Sequence, residues 1–298
     1  MNDKQREPVH SDPDSAPSRQ PTLYLVATPI GNLEDITLRA LRVLKEADVI
    51  ACEDTRQTQK LLNHFAISTR TTSYHEHNEM TRSAELVKNM QQGASVALVT
   101  DAGMPGISDP GFRLISLAIR HHIPVVPIPG ASAFLSALVA SGLPTDSVHF
   151  AGFLPAKRGE RRTVLQSLAN SVSTEVFYEA PHRIMETLAD ITEIMGESRP
   201  VVLARELTKL HEEFLRGSAA QVLDTLKHRD AVKGEITLLI GKAEPELLSQ
   251  QAPRMTVSRR VQEIMAQENV DEKAALKKIA KERGISKSEA YRELQQGR

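Results

Sequence analysis

Between Leu23 and Leu143 short apolar runs alternate with amphipathic stretches, and this rhythm limits the possible folds more than any other feature of the chain. The runs Leu23–Ala27, Asp48–Cys52, Ser95–Thr100 and Pro124–Ile128 read as strands. The stretches Asp35–Ala47, Thr55–Phe65, Thr81–Gln92, Pro110–His121 and Ser132–Ser141 read as helices. A strand–helix alternation of this kind predicts an α/β fold built on a largely parallel sheet with helices on both faces. A second run begins near His149, with strands at His149–Phe153, Glu175–Glu179, Pro200–Glu206 and Glu235–Ile240. Helices at Glu160–Ala169, His182–Met195 and Ala219–His228 separate them, which predicts a second α/β domain. The loop-rich "GLPTDS", Gly142–Ser147, is the expected linker.

Size and composition are compatible with that plan. The 298 residues suffice for about two domains with real cores, and 40% hydrophobic with 25% charged residues is globular composition. Residues 1–20 carry Pro8, Pro13 and Pro17 with little to bury, so a disordered tail without the apolar segment of a secretory signal is expected there. No stretch approaches the roughly 20 apolar residues of a membrane span. The single Cys52 excludes an intramolecular disulfide, and a cytoplasmic location is expected.

After "GKAEPELLSQQAP" the character changes to short charged helices. Residues 252–298 hold eleven Lys or Arg against seven Asp or Glu, on a chain whose total net charge is −1. A basic module on an acidic body hints at nucleic acid, while the absence of Trp and an aromatic content of 4% argue against an extended base-stacking platform. "LKKIAKERGISKSEAYRELQQ", Leu276–Gln296, spaces Ala280, Gly284, Ile285 and Ala290 as a helix-turn-helix does, with Ser286 as a cap. A plain helical hairpin fits the same spacing.

In an open parallel sheet ligands bind beyond the carboxyl ends of the strands. The four strands of the first half lead into "TPIGN", "EDTRQT", "TDAGMPGISDPG" and "PGASA". The glycine spacing of the first is wrong for a dinucleotide fingerprint, and no Gly-Lys-Ser/Thr follows it. "DAGMPG" keeps side chains out of the way and suits close approach to a ligand, whereas Asp109-Pro110-Gly111 reads as the cap and first turn of the next helix. Ser132 reads as a cap too, although free N–H groups at a helix start also hold a carboxylate. "YEAPHR" and "ARELTK" put His182, Arg183 and Lys209 after strands of the second half. His75 and His77 face one side if extended, but no third ligand stands at a metal-binding spacing, and no metal is expected.

The motifs "VATPIGNLEDITLRALRVLKEADVIACEDTR", "DAGMPGISDPG", "PGASA", "GLPTD" with "GFLPAKRGERR", "YEAPHR", "ARELTK" and "GEITLLI" together resemble the tetrapyrrole-methylase superfamily over about residues 22–243. More narrowly they are similar to its branch acting as small-subunit (16S) rRNA cytidine 2′-O-methyltransferases. The resemblance implies two α/β domains, 21–143 and 144–245, with S-adenosylmethionine in the cleft between them, and an RNA-binding helical module at 252–298. It implies cofactor contacts at Pro29, Asp101, Gly103, Met104, Pro105, Ala131, Ser132, Tyr178, Ala204, Gly234, Glu235 and Ile236. Where Met104 stands, related sequences often have threonine, so only a backbone contact carries over. By position Glu53, Asp54, Arg56, His182 and Glu206 are the candidates for catalysis. The implied partner is 16S rRNA of the small ribosomal subunit, neither membrane nor DNA, and a homodimer is expected. The rivals are a methyltransferase of the same fold acting on a tetrapyrrole or a modified protein side chain, and a ligand-sensing helix-turn-helix regulator.

Overall fold

The computed structural model describes residues 20–243, 257–268, 270–283 and 286–296. The expected disordered tail, apart from Gln20, and the Gly284–Ile285 turn lie outside the described residues.

Five parallel strands form the first sheet: β1 (Leu23–Val26), β2 (Val49–Cys52), β3 (Thr71–Ser73), β4 (Val96–Leu98) and β5 (Val125–Ile128), in the order β3-β2-β4-β1-β5. Strand periodicity divides its residues between two cores. On one face Val96 and Leu98 pack with Leu86 and Met90 of α3 (Glu79–Gln91) and Leu114 of α4 (Phe112–Arg120). On the other, Ala97 and Val99 meet Val43 and Leu44 of α1 (Leu38–Glu46) and Leu62 of α2 (Thr55–His64). Each such Leu, fully withdrawn from water, contributes roughly 1.5–3 kcal/mol. Thr37 caps α1 by accepting from the Ala40 N–H at 3.0 Å, and Asp54 caps α2 by accepting from the Arg56 N–H at 2.8 Å.

β1 lies between β4, the central strand, and the edge strand β5. The loops that follow β1, β4 and β5 therefore open onto one edge, and α5 (Ala133–Ser141) leaves that edge for the second half of the molecule. Ala137 and Leu138 of α5 pack on Val176, Val202, Ala204 and Leu239 of the second sheet.

That sheet holds β6 (Val148–Phe153), β7 (Thr174–Glu179), β8 (Pro200–Arg205), β9 (Glu213–Ser218) and β10 (Ile236–Ile240), ordered β6-β7-β10-β8-β9. Only β6 and β7 run parallel; the remaining pairs are antiparallel. Its other face is covered by α6 (Arg158–Leu168), α7 (Ile184–Met195) and α8 (Ala219–Lys227) around Leu165, Leu188 and Leu226. Both sheets thus carry helices on both faces, as the alternation predicts for the first. β3 and β9 are additional to the predicted strands.

Residues 242–298 with 170–172 form a separate compact unit. Its helices α9 (Val257–Glu268), α10 (Glu272–Arg283) and α11 (Lys287–Gln296) enclose a core of their own that includes Ile264, Ile279, Ala290 and Leu294. Ser286 caps α11, its hydroxyl accepting from the Glu289 N–H at 3.2 Å. No helix among the described residues is long and apolar enough to cross a membrane.

Candidate active site

The turn after β1 and the loop after β4 are stitched together. Thr28 and Gly103 exchange backbone hydrogen bonds of 2.9 and 3.0 Å, and the Thr28 hydroxyl donates to the Thr100 carbonyl at 3.0 Å. The loop after β5 delivers the start of α5, where Ser132 occupies the cap position but its side chain accepts no capping hydrogen bond. The first-turn N–H groups of α5 are therefore left for a ligand. The second sheet contributes the ends of β7 and β8 and the turn into β10.

These segments enclose a cavity of about 340 Å³, the size of a small-molecule site. Of the expected cofactor contacts, Gly103, Met104, Ser132, Tyr178, Ala204, Gly234, Glu235 and Ile236 line it. Pro29, Asp101, Pro105 and Ala131 lie outside that lining. Asp101 is exposed, and its carboxylate accepts the Asp54 N–H at 3.3 Å, joining the ends of β4 and β2. Ala131 packs in the apolar cluster between α5 and the second sheet.

One expectation is overturned. Asp109 is not a helix cap: α4 begins at Phe112, its cap position is Gly111, and no side chain caps it. Asp109 instead lines the cavity beside Ile107 and Ser108. Burial pushes its carboxyl up to about 6, and the nearby Glu53 and Asp101 carboxylates push the same way. Glu53 is itself raised, chiefly by burial and then by Asp101. The Thr100 hydroxyl stands beside both carboxyls and lowers each, yet its oxygen is buried without a hydrogen bond of full geometry. Sequence reasoning missed Asp109 because Asp-Pro-Gly is as good a helix start as a ligand loop. The signal that could have found it is the length of the loop, twelve residues from Thr100 to Gly111.

None of the five candidates for catalysis lines the cavity. Glu53 lies nearest in effect, through its coupling to Asp109. Asp54 is engaged as the cap of α2 and is bound by the Arg56 guanidinium at 3.2 and 3.3 Å, which holds it below the usual carboxylate range. Arg56 borders a shallow groove along α2 with Lys60 and Asn63. His182 is exposed, next to the cavity-lining Pro181. Glu206 is bound by the Lys209 ammonium at 2.8 Å and the Glu235 N–H at 2.9 Å, which lower its pKa. The His75 and His77 rings stand 6.0 Å apart, and no group of three or more metal-ligating side chains occurs among the described residues.

The tetrapyrrole (corrin/porphyrin) methylase model matches residues 22–223. Ribosomal RNA small subunit methyltransferase I of Halalkalibacterium halodurans is 48% identical over 274 residues, covering 91% of this chain and 93% of that protein. The protein of the same name from Mesorhizobium japonicum is 52% identical over 225 residues, 76% of each chain. Among solved structures, a conserved hypothetical protein from Aeropyrum pernix superposes with a TM-score of 0.61 at 20% identity, over 78% of this chain and 88% of that one. Uroporphyrin-III C-methyltransferase of Thermus thermophilus, complexed with S-adenosylhomocysteine, gives a TM-score of 0.52 at 19% identity, over 74% of this chain and 98% of that one. These two likenesses show a common fold. The match over more than half the chain, with near-full-length relatives at 48% identity, means that the chain belongs to the tetrapyrrole methylases, in the branch of the ribosomal RNA small subunit methyltransferases I.

Proposed function

We propose that this methyltransferase uses S-adenosylmethionine to methylate the ribose 2′-oxygen of a cytidine in the decoding region of 16S rRNA. Membership of the family sets aside the ligand-sensing regulator. The observation that carries the reading is the cavity itself: it takes its walls from both sheets, backbone approaches at Gly103 and Gly234, and an uncapped helix start at Ser132. Such a set fits the cofactor. The N–H groups at the start of α5 suit its carboxylate, while Ile30, Met104 and Leu207 offer apolar contact.

When bound, S-adenosylmethionine supplies an electrophilic methyl group. The chain's part is to hold the hydroxyl in line with that group and to exclude water, which together account for much of such a rate enhancement. We assign cofactor contact to the eight predicted residues that line the cavity, and proton handling to the carboxyl cluster that includes Glu53. Asp54, Arg56 and Glu206 then serve around the site, as cap, groove wall and brace, and His182 stands exposed beside it. Residues 252–298 are assigned phosphate contacts that position the RNA without reading its bases, and their excess of Lys and Arg supports that. We place the enzyme in the cytoplasm, as a homodimer of chains divided near 143–144 into two α/β domains.

The test is incubation with deuteromethyl-labelled S-adenosylmethionine and small ribosomal subunits that lack the modification, followed by nucleoside mass spectrometry. Label on a ribose supports the reading. Label only on a base, on a protein or on an added tetrapyrrole refutes it.

A further inference from the structure

Phe153 is 58% exposed and still forms part of the cavity wall. Its orientation comes from an irregularity in the edge strand. The pairing of β6 with β7 shifts register between Phe150 and Phe153, and Gly152 stands at that point with φ 67°. A bulge of this kind re-aims the side chain that follows it. A β-carbon on Gly152 would come within 3.1 Å of Ser108 Oγ, so the bulge lies directly against the loop after β4. Ser108 is itself in the left-handed region, at φ 59°, a conformation that a residue with a β-carbon disfavours. The next residue is Asp109. Two special backbone positions thus lie close together, each next to a residue of the same wall, Phe153 and Asp109. Tyr178 stands between them: its ring centroid is 5.5 Å from that of Phe153, and it feels the Asp109 carboxylate.

We propose that Phe153 and Asp109 form a nucleoside subsite, in which the exposed ring of Phe153 stacks the base of one extruded pyrimidine nucleotide and the Asp109 carboxylate accepts the proton of its ribose 2′-hydroxyl. The proposal rests on the ribose-methylation reading and names the groups that serve it. A nucleotide within a duplex presents neither a free base face nor a reachable ribose, so the target has to be unstacked to enter. One exposed ring suffices for a single base, even in a chain poor in aromatics.

The other carboxylates are less suited: Glu235 also lines the cavity, but its carboxylate accepts from the Lys209 ammonium at 3.0 Å. Glu179 lines the cavity, but Arg183, Thr187 and the Ala180 N–H donate to it at 2.6, 2.7 and 2.7 Å, so its oxygens are engaged. Asp101 is exposed and binds the Asp54 N–H. Glu53 is not part of the wall. The groups that face Asp109 are Glu53 from the end of β2, Thr100 and Asp101 from the end of β4, and Tyr178 from β7. A carboxyl near 6 is ionised at neutral pH yet a stronger base than an ordinary aspartate. In the step it serves, the proton leaves the hydroxyl for Asp109. A lone pair of the oxygen forms the bond to the methyl carbon as the carbon–sulfur bond breaks, and the pair of the broken bond stays on sulfur, which leaves as a neutral thioether. Asp109 then releases the proton to solvent.

The experiment compares the full-length wild type with Asp109→Asn, Asp109→Glu, Phe153→Ala and Phe153→Tyr on unmodified small ribosomal subunits. S-adenosylmethionine affinity is measured by calorimetry, and subunit affinity by filter binding with S-adenosylhomocysteine present. The expected result is cofactor affinity within about twofold of wild type for all four. Asp109→Asn lowers the single-turnover rate by about a hundredfold or more and lacks the inflection near pH 6 expected of the wild type. Phe153→Ala raises KM and weakens subunit binding by about tenfold, with kcat little changed, and Phe153→Tyr restores both. An Asp109→Asn enzyme with wild-type rate and pH profile overturns the proposal, as does loss of cofactor binding in either series, or unchanged KM in Phe153→Ala. A wild type that labels no ribose refutes the underlying reading and takes the subsite with it, whereas a wild type that labels ribose with unaffected variants refutes the subsite alone.

Discussion

Lys209 fills the space that a β-carbon on Gly31 would need, and from there its ammonium reaches Glu206 at 2.8 Å and Glu235 at 3.0 Å. The contact joins the turn after β1 to the loop after β8, and so ties one sheet to the other. Glu206 and Thr208 both stand at positive φ, 53° and 65°. Left-handed backbone at two non-glycine residues costs roughly 1–2 kcal/mol each, so packing has to hold this loop in its shape. Leu207 and Glu235 belong to the same assembly and line the cavity. The "TPIGN" turn therefore contributes Ile30 to the wall and Gly31 to the brace behind it.

Gly31→Ala is expected to break the brace. Its new methyl group meets Lys209, with the Leu207 carbonyl and the Thr208 hydroxyl each 3.0 Å away. Overpacking of this kind destabilises by about 1–3 kcal/mol. Urea unfolding should show that loss, and calorimetry should show weaker S-adenosylmethionine binding through the displaced Leu207 and Glu235. Wild-type stability and affinity together would contradict the bracing role.

Asp109→Asn is expected to stabilise the fold at neutral pH. The carboxyl of the folded protein titrates at about 6, against about 3.9 in an unfolded chain. Between those values the folded state binds the extra proton, so stability falls as pH rises from about 4 to 6. Half-burial and solvent screening reduce the full two-unit effect to about 1 kcal/mol at pH 7. Denaturation midpoints of variant and wild type should diverge above pH 4 and coincide below it. A variant less stable than wild type at pH 7 would show that the charged carboxylate is a structural anchor.

Much of this arrangement is legible in the chain, and what is hidden has physical reasons. The four apolar strands and the strand-end loops of the first half announce the parallel sheet and its ligand edge. β3 is hidden because Thr71–Ser73 carries no apolar residue; only its pairing with β2 makes it a strand. β9, "EFLRGS", is an edge strand with no fully buried residue, so periodicity has little to show. Asp109 and Phe153 are set by backbone geometry, a bulge and a left-handed serine, that residue type alone does not specify. The brace of Lys209 depends likewise on φ values at Glu206 and Thr208.

Glu213 gives the second sheet a pH-dependent tie. Arg229 donates to it at 2.5 and 2.8 Å and Arg205 at 3.0 Å, and these bonds hold its carboxyl at about 2. A depressed acid stabilises the fold above its unfolded value of about 4.3, and that stability is lost as pH falls toward 2. Glu213→Gln should therefore lower stability by about 1 kcal/mol at pH 7, after allowance for solvent screening. The difference should shrink steadily below pH 4.5. A constant difference across that range would assign the loss to packing.

Deletion of residues 252–298 separates RNA affinity from cofactor affinity. The helices of this unit have their own core, and every residue lining the cavity lies between Ile30 and Thr237. Subunit binding should weaken and its salt dependence should flatten, because fewer phosphates are neutralised. S-adenosylmethionine affinity should stay within about twofold of wild type by calorimetry. An unchanged salt slope would remove the tail from the RNA interface.

Nucleoside mass spectrometry locates the transferred methyl group. Small ribosomal subunits lacking the modification are treated with the full-length enzyme and labelled S-adenosylmethionine, then digested to nucleosides. One labelled species is expected, cytidine carrying the methyl group on its ribose 2′-oxygen, formed by the wild type and suppressed in Asp109→Asn. A label on the cytosine ring, with an unlabelled ribose, would contradict ribose methylation.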